Sequence, residues 1–216
     1  MAFRFPRPGK SKTHLLGGSF AALLKNNLQA KSKLLTKSAL LTLMLSLSWQ
    51  SHASVTPDAP LPTVKVQDGG ELVLKSGDIE YSPWQSQQLT GKVYVIQHIA
   101  GRTSAKELNA PLIDRIKAAE LPKDRYQTVT VVNTDDAIWG TGGIVKGKLE
   151  SSKEEFPWSM MVLDEEGVAR STWNLTEESS AIIVVDKENR VRWMKDGPLS
   201  DQEQQDVMAL IERLLQ

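Results

Sequence analysis

The chain alternates between short apolar runs of strand character and amphipathic stretches of helical period. "KVYVIQHI", Lys92 to Ile99, is nearly continuously apolar at Val93, Val95, Ile96 and Ile99, as in a central strand covered on both faces. Leu108, Leu112, Ile113, Ile116 and Ala119 then recur with helical spacing. Pro111 sits inside that helix and is expected to kink it, because its ring removes a donor and clashes with the preceding turn. "YQTVTVVN", Tyr126 to Asn133, is a second β-branched strand. A loop, "TDDAIWGTGG", leads to a polar helix around Ile144 to Glu155.

"WSMMVLDEEGVARSTWNL" reads as a strand, a turn at Glu166-Gly167 and a returning strand or loop. "AIIVVDKENRVRWMK" reads as a hairpin turning at Lys187 to Asn189. The last helix opens with a capping box, Ser200 to Glu203, and buries Val207, Leu210, Ile211, Leu214 and Leu215. Upstream, the Pro-rich segment "SVTPDAPLPTVKVQDGG" ends in a turn at Asp68-Gly69-Gly70. "ELVLKSGDIEYSPW" then forms a hairpin around Ser76-Gly77-Asp78. This succession predicts an α/β fold, a mixed sheet flanked by helices with an added N-terminal β-hairpin. The order resembles the thioredoxin-like fold. Neither an internal repeat nor a second domain is visible in residues 54–216.

Charge changes the picture at the N-terminus. Eight of the 26 Lys and Arg, and none of the 26 Asp and Glu, fall in residues 1–53. That leaves 18 basic against 26 acidic residues in 54–216, a net charge of −8 with His neutral. Such a body lacks the basic face of a nucleic-acid binder. Residues 1–53 read as a leader whose signal proper is about 31–53. Lys31, Lys33 and Lys37 form the positive region, "SALLTLMLSLSW" the apolar core, and "SHA" the cleavage site after Ala53. The apolar run is shorter than the ~20 residues of a membrane span. The expectation is therefore a periplasmic protein with no membrane attachment after cleavage; a retained anchor is the alternative. Residues 1–30 are unusual for such a signal, and a true start near Leu28 to Leu35 would account for them.

Four segments carry a closer resemblance: "IQHIAGRTSAK" at Ile96 to Lys106, "YQTVTVVNTDDA" at Tyr126 to Ala137, "FPWS" at Phe156 to Ser159, and "EESSAIIVVDKENRVRWMKDG" at Glu177 to Gly197. They resemble the YtfJ family of periplasmic proteins of Gram-negative bacteria, over essentially all of 60–216. The resemblance implies a thioredoxin-like fold and location in the periplasm, and it brings no activity with it.

In thioredoxin-like proteins the loop after the central strand holds redox cysteines. Here it holds Arg102, Thr103 and Ser104, and the chain has no cysteine at all. Thiol redox chemistry, thiol peroxidase chemistry and thiolate metal sites are excluded together. In that frame Thr103 stands near the first redox cysteine and Ser180 near the usual cis-proline. A hydroxyl forms no disulfide and is a weak nucleophile without an adjacent base.

Candidate chemistry then rests on few residues. Arg102 could bind a carboxylate or phosphate, or pair with a neighbouring acid. Loops after adjacent parallel strands gather on one edge, so Arg102 should meet Asp135 or Asp136, with Glu177 to Ser180 closing the rim. Asp135 and Asp136 could do acid–base work or bind a hard cation, or simply form a turn and helix cap. Ser104 to Glu107 matches a capping box. His98, alone among histidines after residue 53, is either a general base or a satisfied core residue. "GTGG" lacks the Lys-Ser/Thr of a phosphate loop. Trp84, Trp139, Trp158, Trp173 and Trp193 either rim a peptide groove or pack the core.

Two functions compete. One is a non-redox binding module using Arg102, Thr103, Asp135, Asp136 and Ser180 to hold a periplasmic protein, a peptide or a small acid. The other is an enzyme of unknown reaction using Asp136, His98 and Arg102. Neither requires a cofactor or metal. They separate on whether Arg102 is free or fully paired.

Overall fold

The computed structural model describes residues 54–216; the leader assignment lies outside them. Seven strands form one mixed sheet: β1 (Lys65–Lys75), β2 (Asp78–Gln85), β3 (Val93–Ala100), β4 (Tyr126–Asn133), β5 (Met160–Asp164), β6 (Ser180–Val185) and β7 (Val191–Asp196). Among the described residues five α-helices accompany them: α1 (Thr103–Leu108), α2 (Ala110–Ala118), α3 (Gly142–Glu155), α4 (Val168–Trp173) and α5 (Asp201–Leu214). The spatial order is β2-β1-β5-β4-β3-β6-β7. Strands β3, β4 and β5 run parallel, and the outer strands join antiparallel.

This register has one consequence for function. The carboxyl ends of β3, β4 and β5 and the start of β6 share one edge. Residues 100–103, 133–136, 164–167 and 177–180 therefore meet there, as loops do at the carboxyl edge of any parallel sheet.

Both faces of β3 are buried, which is why its sequence is apolar without alternation. On one face Val93, Val95, Ile182 and Val184 meet Leu112 and Ile116 of α2 and Val207 and Ile211 of α5. On the same side α3 packs Leu149 against Leu72, Val132 and Leu163. On the other face Tyr94, Ile96, Val129, Val131 and Ile183 meet Ala169 and Trp173 of α4 and the segment Val55, Leu61 and Val64. The Trp173 indole N–H donates to the Pro62 carbonyl at 2.9 Å, which fastens that segment.

Three local expectations are corrected. Asp68-Gly69-Gly70 is not a turn but a bulge within β1. Gly69 and Gly70 have φ of +86° and +89°, and a Cβ would lie 2.3 Å from the Leu163 carbonyl oxygen and 2.2 Å from that of Ser82. Only glycine lets β1 bend between its two neighbours there. The segment after Glu166-Gly167 is not a returning strand but helix α4. The Asp164 carboxylate accepts from the Val168 and Ala169 N–H groups at 3.0 and 2.8 Å, a cap supplied from four residues upstream. Finally, the expected kink at Pro111 is a complete break: α1 ends and α2 begins at Asn109, with Pro111 in the first turn of α2.

Candidate functional site

The loop after β3 is built around a tight approach. The Gly101 N–H donates to the Asn133 carbonyl at 2.7 Å. A Cβ on Gly101 would sit 2.8 Å from that same oxygen and 2.9 Å from the Ala137 Cβ. Glycine thus lets the β3–α1 loop press onto the loop after β4, and Arg102 is delivered to the acids that follow Asn133.

Arg102 is fully engaged. Its Nε and Nη2 donate to the Asp136 carbonyl at 3.2 and 3.1 Å, and Nη2 also reaches Asp136 Oδ1 at 3.0 Å. Its Nη1 lies 3.0 Å from Glu178 Oε1. Asp136 Oδ2 accepts from the Glu178 N–H at 2.6 Å, and the Asp136 N–H donates to Asn133 Oδ1 at 3.3 Å. The Arg102 and Asp136 side chains are only 16% and 9% exposed. One guanidinium and one carboxylate therefore tie three loops together at the edge where thioredoxin-like enzymes expose a thiol.

A second arginine repeats the scheme one residue over. Arg170 of α4 donates to Glu177 Oε1 at 2.8 Å, and its Nη2 lies 4.0 Å from Asp135 Oδ2. Asp135 and Glu177 are 54% and 72% exposed. Consecutive acids in each loop thus go to different arginines, and four carboxylates share two guanidiniums.

The other candidate residues fall apart from this clasp. Thr103 is the first residue of α1 and is exposed at the rim. Ser104 makes no cap: Arg102 holds the cap position, with no side-chain cap bond, and Ser104 is exposed one turn position further on. The Ser104–Glu107 box is thus corrected, because the helix begins two residues too early for it. Ser180 is buried and faces inward. Its Oγ accepts from Asn109 Nδ2 at 3.2 Å, while Asn109 Oδ1 accepts the Leu199 N–H at 3.1 Å. Asn109, at the break between helices, is a residue that sequence reasoning missed; the signal was a polar residue directly ahead of Ala110-Pro111.

His98 lies in the buried face beneath α4, and burial lowers its pKa from 6.5 to about 4. The fields of Asp196 and Asp136 oppose that shift and lose to desolvation; Arg170 adds to it. Burial also raises the Asp164 pKa, against the backbone N–H groups that it caps. Of the tryptophans, Trp84 and Trp173 are core residues, whereas Trp139 and Trp158 are exposed. No group of three or more His, Cys, Asp or Glu among the described residues could hold a metal ion. No described helix is long and apolar enough to cross a membrane.

Sheet order, parallel centre and loop edge together define a thioredoxin-like protein. Its fold matches solved structures at low identity. One, assigned as the thiol:disulfide interchange protein DsbE of Chlorobium tepidum, has a TM-score of 0.52 and 15% identity, covering 76% of this chain and 100% of that one. Another, a thioredoxin-like superfamily protein, has a TM-score of 0.50 and 16% identity, covering 73% and 96%. The chain belongs to the YtfJ family, described as "Bacterial protein of unknown function (YtfJ_HI0045)", whose family model matches residues 55–214. It is 52% identical to the uncharacterized protein YtfJ of Escherichia coli over 177 residues, 82% of this chain and 96% of that protein. It is 47% identical to an uncharacterized protein of Haemophilus influenzae over 154 residues, 71% and 84% of the two chains. The family resemblance and the fold class read from sequence are both borne out.

Proposed function

We propose that the chain is an exported, non-redox binding module that uses the carboxyl edge of its sheet to hold a protein or peptide partner in the periplasm. The observation that carries this reading is the clasp. Every Arg102 nitrogen finds an acceptor on Asp136 or Glu178, so the β3–α1 loop is closed by ion pairs where a redox enzyme needs an accessible nucleophile. A loop held rigid in this way suits recognition, which gains from groups already ordered before binding.

The same geometry speaks against acid–base catalysis. Both Asp136 oxygens are occupied, and His98, behind them, is buried from solvent. A general base must reach its proton within hydrogen-bond distance, directly or through one water. The groups left facing outward are Thr103, Asp135 and the glutamates, which can recognise a partner but have no activating neighbour for covalent chemistry. Export is supported by the basic, apolar, "SHA"-terminated leader, and protein recovered from the periplasm should begin at Ser54.

The test is capture from periplasmic extract on immobilised protein, wild type against Thr103→Arg. Thr103 is exposed and outside the clasp, so the variant should keep its fold by circular dichroism and lose the partner. Equal retention by both would refute a binding surface at this edge.

A further inference from the structure

Immediately beyond the clasp, the chain does something that the clasp does not require. The loop from Ala137 to Thr141 turns twice, with Ala137 N–H donating to the Thr134 carbonyl at 3.2 Å and Thr141 N–H to the Ile138 carbonyl at 2.9 Å. Those turns leave Ile138 and Trp139 pointing outward, and Ile144 joins them from the first turn of α3. Trp139 is 97% exposed. Single apolar residues scattered over a surface are normal, but here three large ones are exposed within seven positions of the chain, and such a concentration has a cost or a purpose in recognition. Trp is also the side chain most enriched at the energetic centre of interfaces.

The neighbouring charges say what covers it. Asp136 stands three residues before Trp139, and its Oδ2 holds the Glu178 backbone. Four carboxylates (Asp135, Asp136, Glu177 and Glu178) are served there by two guanidiniums; both arginines and Asp136 are covered, and the other three acids are not. The cluster therefore keeps an excess of two negative charges, with Asp135, Glu177 and Glu178 facing solvent. A second copy of the chain would bring the same acids against themselves. An anionic bilayer would be repelled by them, on a body already at −8 over residues 54–216. A basic polypeptide is attracted.

We infer that the Ile138–Trp139–Ile144 patch and the flanking acids Asp135, Glu177 and Glu178 form a docking surface for a cationic polypeptide segment bearing an apolar anchor residue. This rests on the reading of the edge as a binding surface, and it assigns the partner's chemistry. The anchor residue covers Trp139 while lysine or arginine side chains on either side satisfy the carboxylates.

The experiment uses labelled synthetic decapeptides and fluorescence anisotropy with the protein purified from the periplasm. One peptide alternates Lys and Leu, one alternates Glu and Leu, and one alternates Lys and Ser. The Lys/Leu peptide should bind, more weakly with added salt, and the other two should not. Trp139→Ala should weaken it by about thirtyfold or more, the threshold of an anchor residue, with an unchanged melting temperature because Trp139 touches little. Glu177→Gln should weaken it less and reduce the salt dependence. If the Glu/Leu peptide binds as well and is also lost in Trp139→Ala, the edge is a binding surface and the cationic assignment is overturned. Indifference of Lys/Leu binding to Trp139→Ala overturns the patch itself. So do Trp139-dependent binding to phosphatidylglycerol vesicles and Trp139-dependent dimerisation in sedimentation, in the absence of peptide binding.

Discussion

Arg102 and Arg170 invite comparison because they do the same job with the same kinds of partner. Each takes one aspartate from the loop after β4 and one glutamate from the loop before β6. The difference is burial and aim. Arg102 spends three nitrogens on Asp136 and Glu178, with Asp136 almost fully covered. Arg170 makes one short contact to an exposed glutamate and one loose contact at 4.0 Å, and its buried Nε has no partner among the described residues. Charge matching is equal in the two clusters, so what separates them is desolvation and geometry. A pair shielded from water gains little net stability over its desolvation cost but is costly when halved; an exposed pair is screened and worth little either way.

The largest expected effect tests that contrast directly. Arg102→Ala strands the Asp136 carboxylate in a covered site and should cost about 3 kcal/mol, the lower end of the range for breaking a buried pair, since Glu178 remains solvated. Asp136→Ala should cost a similar amount, and the double variant should cost clearly less than the sum of the two in a denaturant double-mutant cycle. Strict additivity would mean that the two side chains do not interact in solution.

The second effect concerns the residue behind the clasp. His98 has a folded pKa of about 4 against an unfolded 6.5, so the unfolded chain takes up a proton first as pH falls. Stability should be full above pH 6.5 and be lost progressively as pH falls toward 4, by on the order of 3 kcal/mol. His98→Asn cannot titrate, so the slope of stability between those pH values should flatten in that variant. An unchanged slope would show that other groups govern acid sensitivity, and Asp164 is not one of them, because a carboxyl whose pKa is raised on folding favours the folded state as pH falls.

The weaker arginine cluster supplies the third test. Glu177→Gln removes an exposed partner of Arg170 and should change stability by no more than about 1 kcal/mol, an amount further reduced in high salt. A loss as large as that of Arg102→Ala would erase the distinction between the clusters.

How much of this was legible in the sequence follows from the range over which each interaction acts. Strands β3, β4, β6 and β7 and the Ser200–Glu203 capping box depend on residues adjacent in the chain, and each was visible in its own segment. The meeting of Arg102 with Asp136 was visible one level up, because parallel strands place their following loops together. What escaped reading was set from a distance. Gly69 and Gly70 look like a turn until β2 and β5 are packed on either side of them. Helix α4 has β-branched residues and no cap beside it, because Asp164 caps it from the end of β5. Asn109 looks like a turn residue until Ser180 and Leu199 arrive, both more than 70 residues later. The exposure of Trp139 could not be separated from core packing by spacing, since the described residues hold five tryptophans and Trp84 and Trp173 are core while Trp139 and Trp158 are exposed.

The smallest effect asks what holds the start of α1, the helix that the Arg102 clasp positions. Ser104-Ala-Lys-Glu107 and Ser200-Asp-Gln-Glu203 look alike in sequence. At Ser200 the box is real: Oγ accepts the Glu203 N–H at 3.3 Å, and Glu203 Oε2 accepts the Ser200 N–H at 2.7 Å. At Ser104 there is no such bond, because the backbone is already helical at Thr103 and the extended cap position belongs to Arg102. An Arg side chain cannot accept a hydrogen bond, and here its guanidinium is turned away to Asp136. The free N–H groups of α1 are therefore left to solvent, and the helix owes its position to the clasp. Ser200→Ala should cost about 1 kcal/mol, the usual worth of a serine cap, while Ser104→Ala should fall within about 0.5 kcal/mol of wild type. Thermal unfolding of the two variants side by side decides it. If Ser104→Ala matched Ser200→Ala, the hydroxyl would be capping α1 after all, and the clasp would share with it the task of fixing the loop.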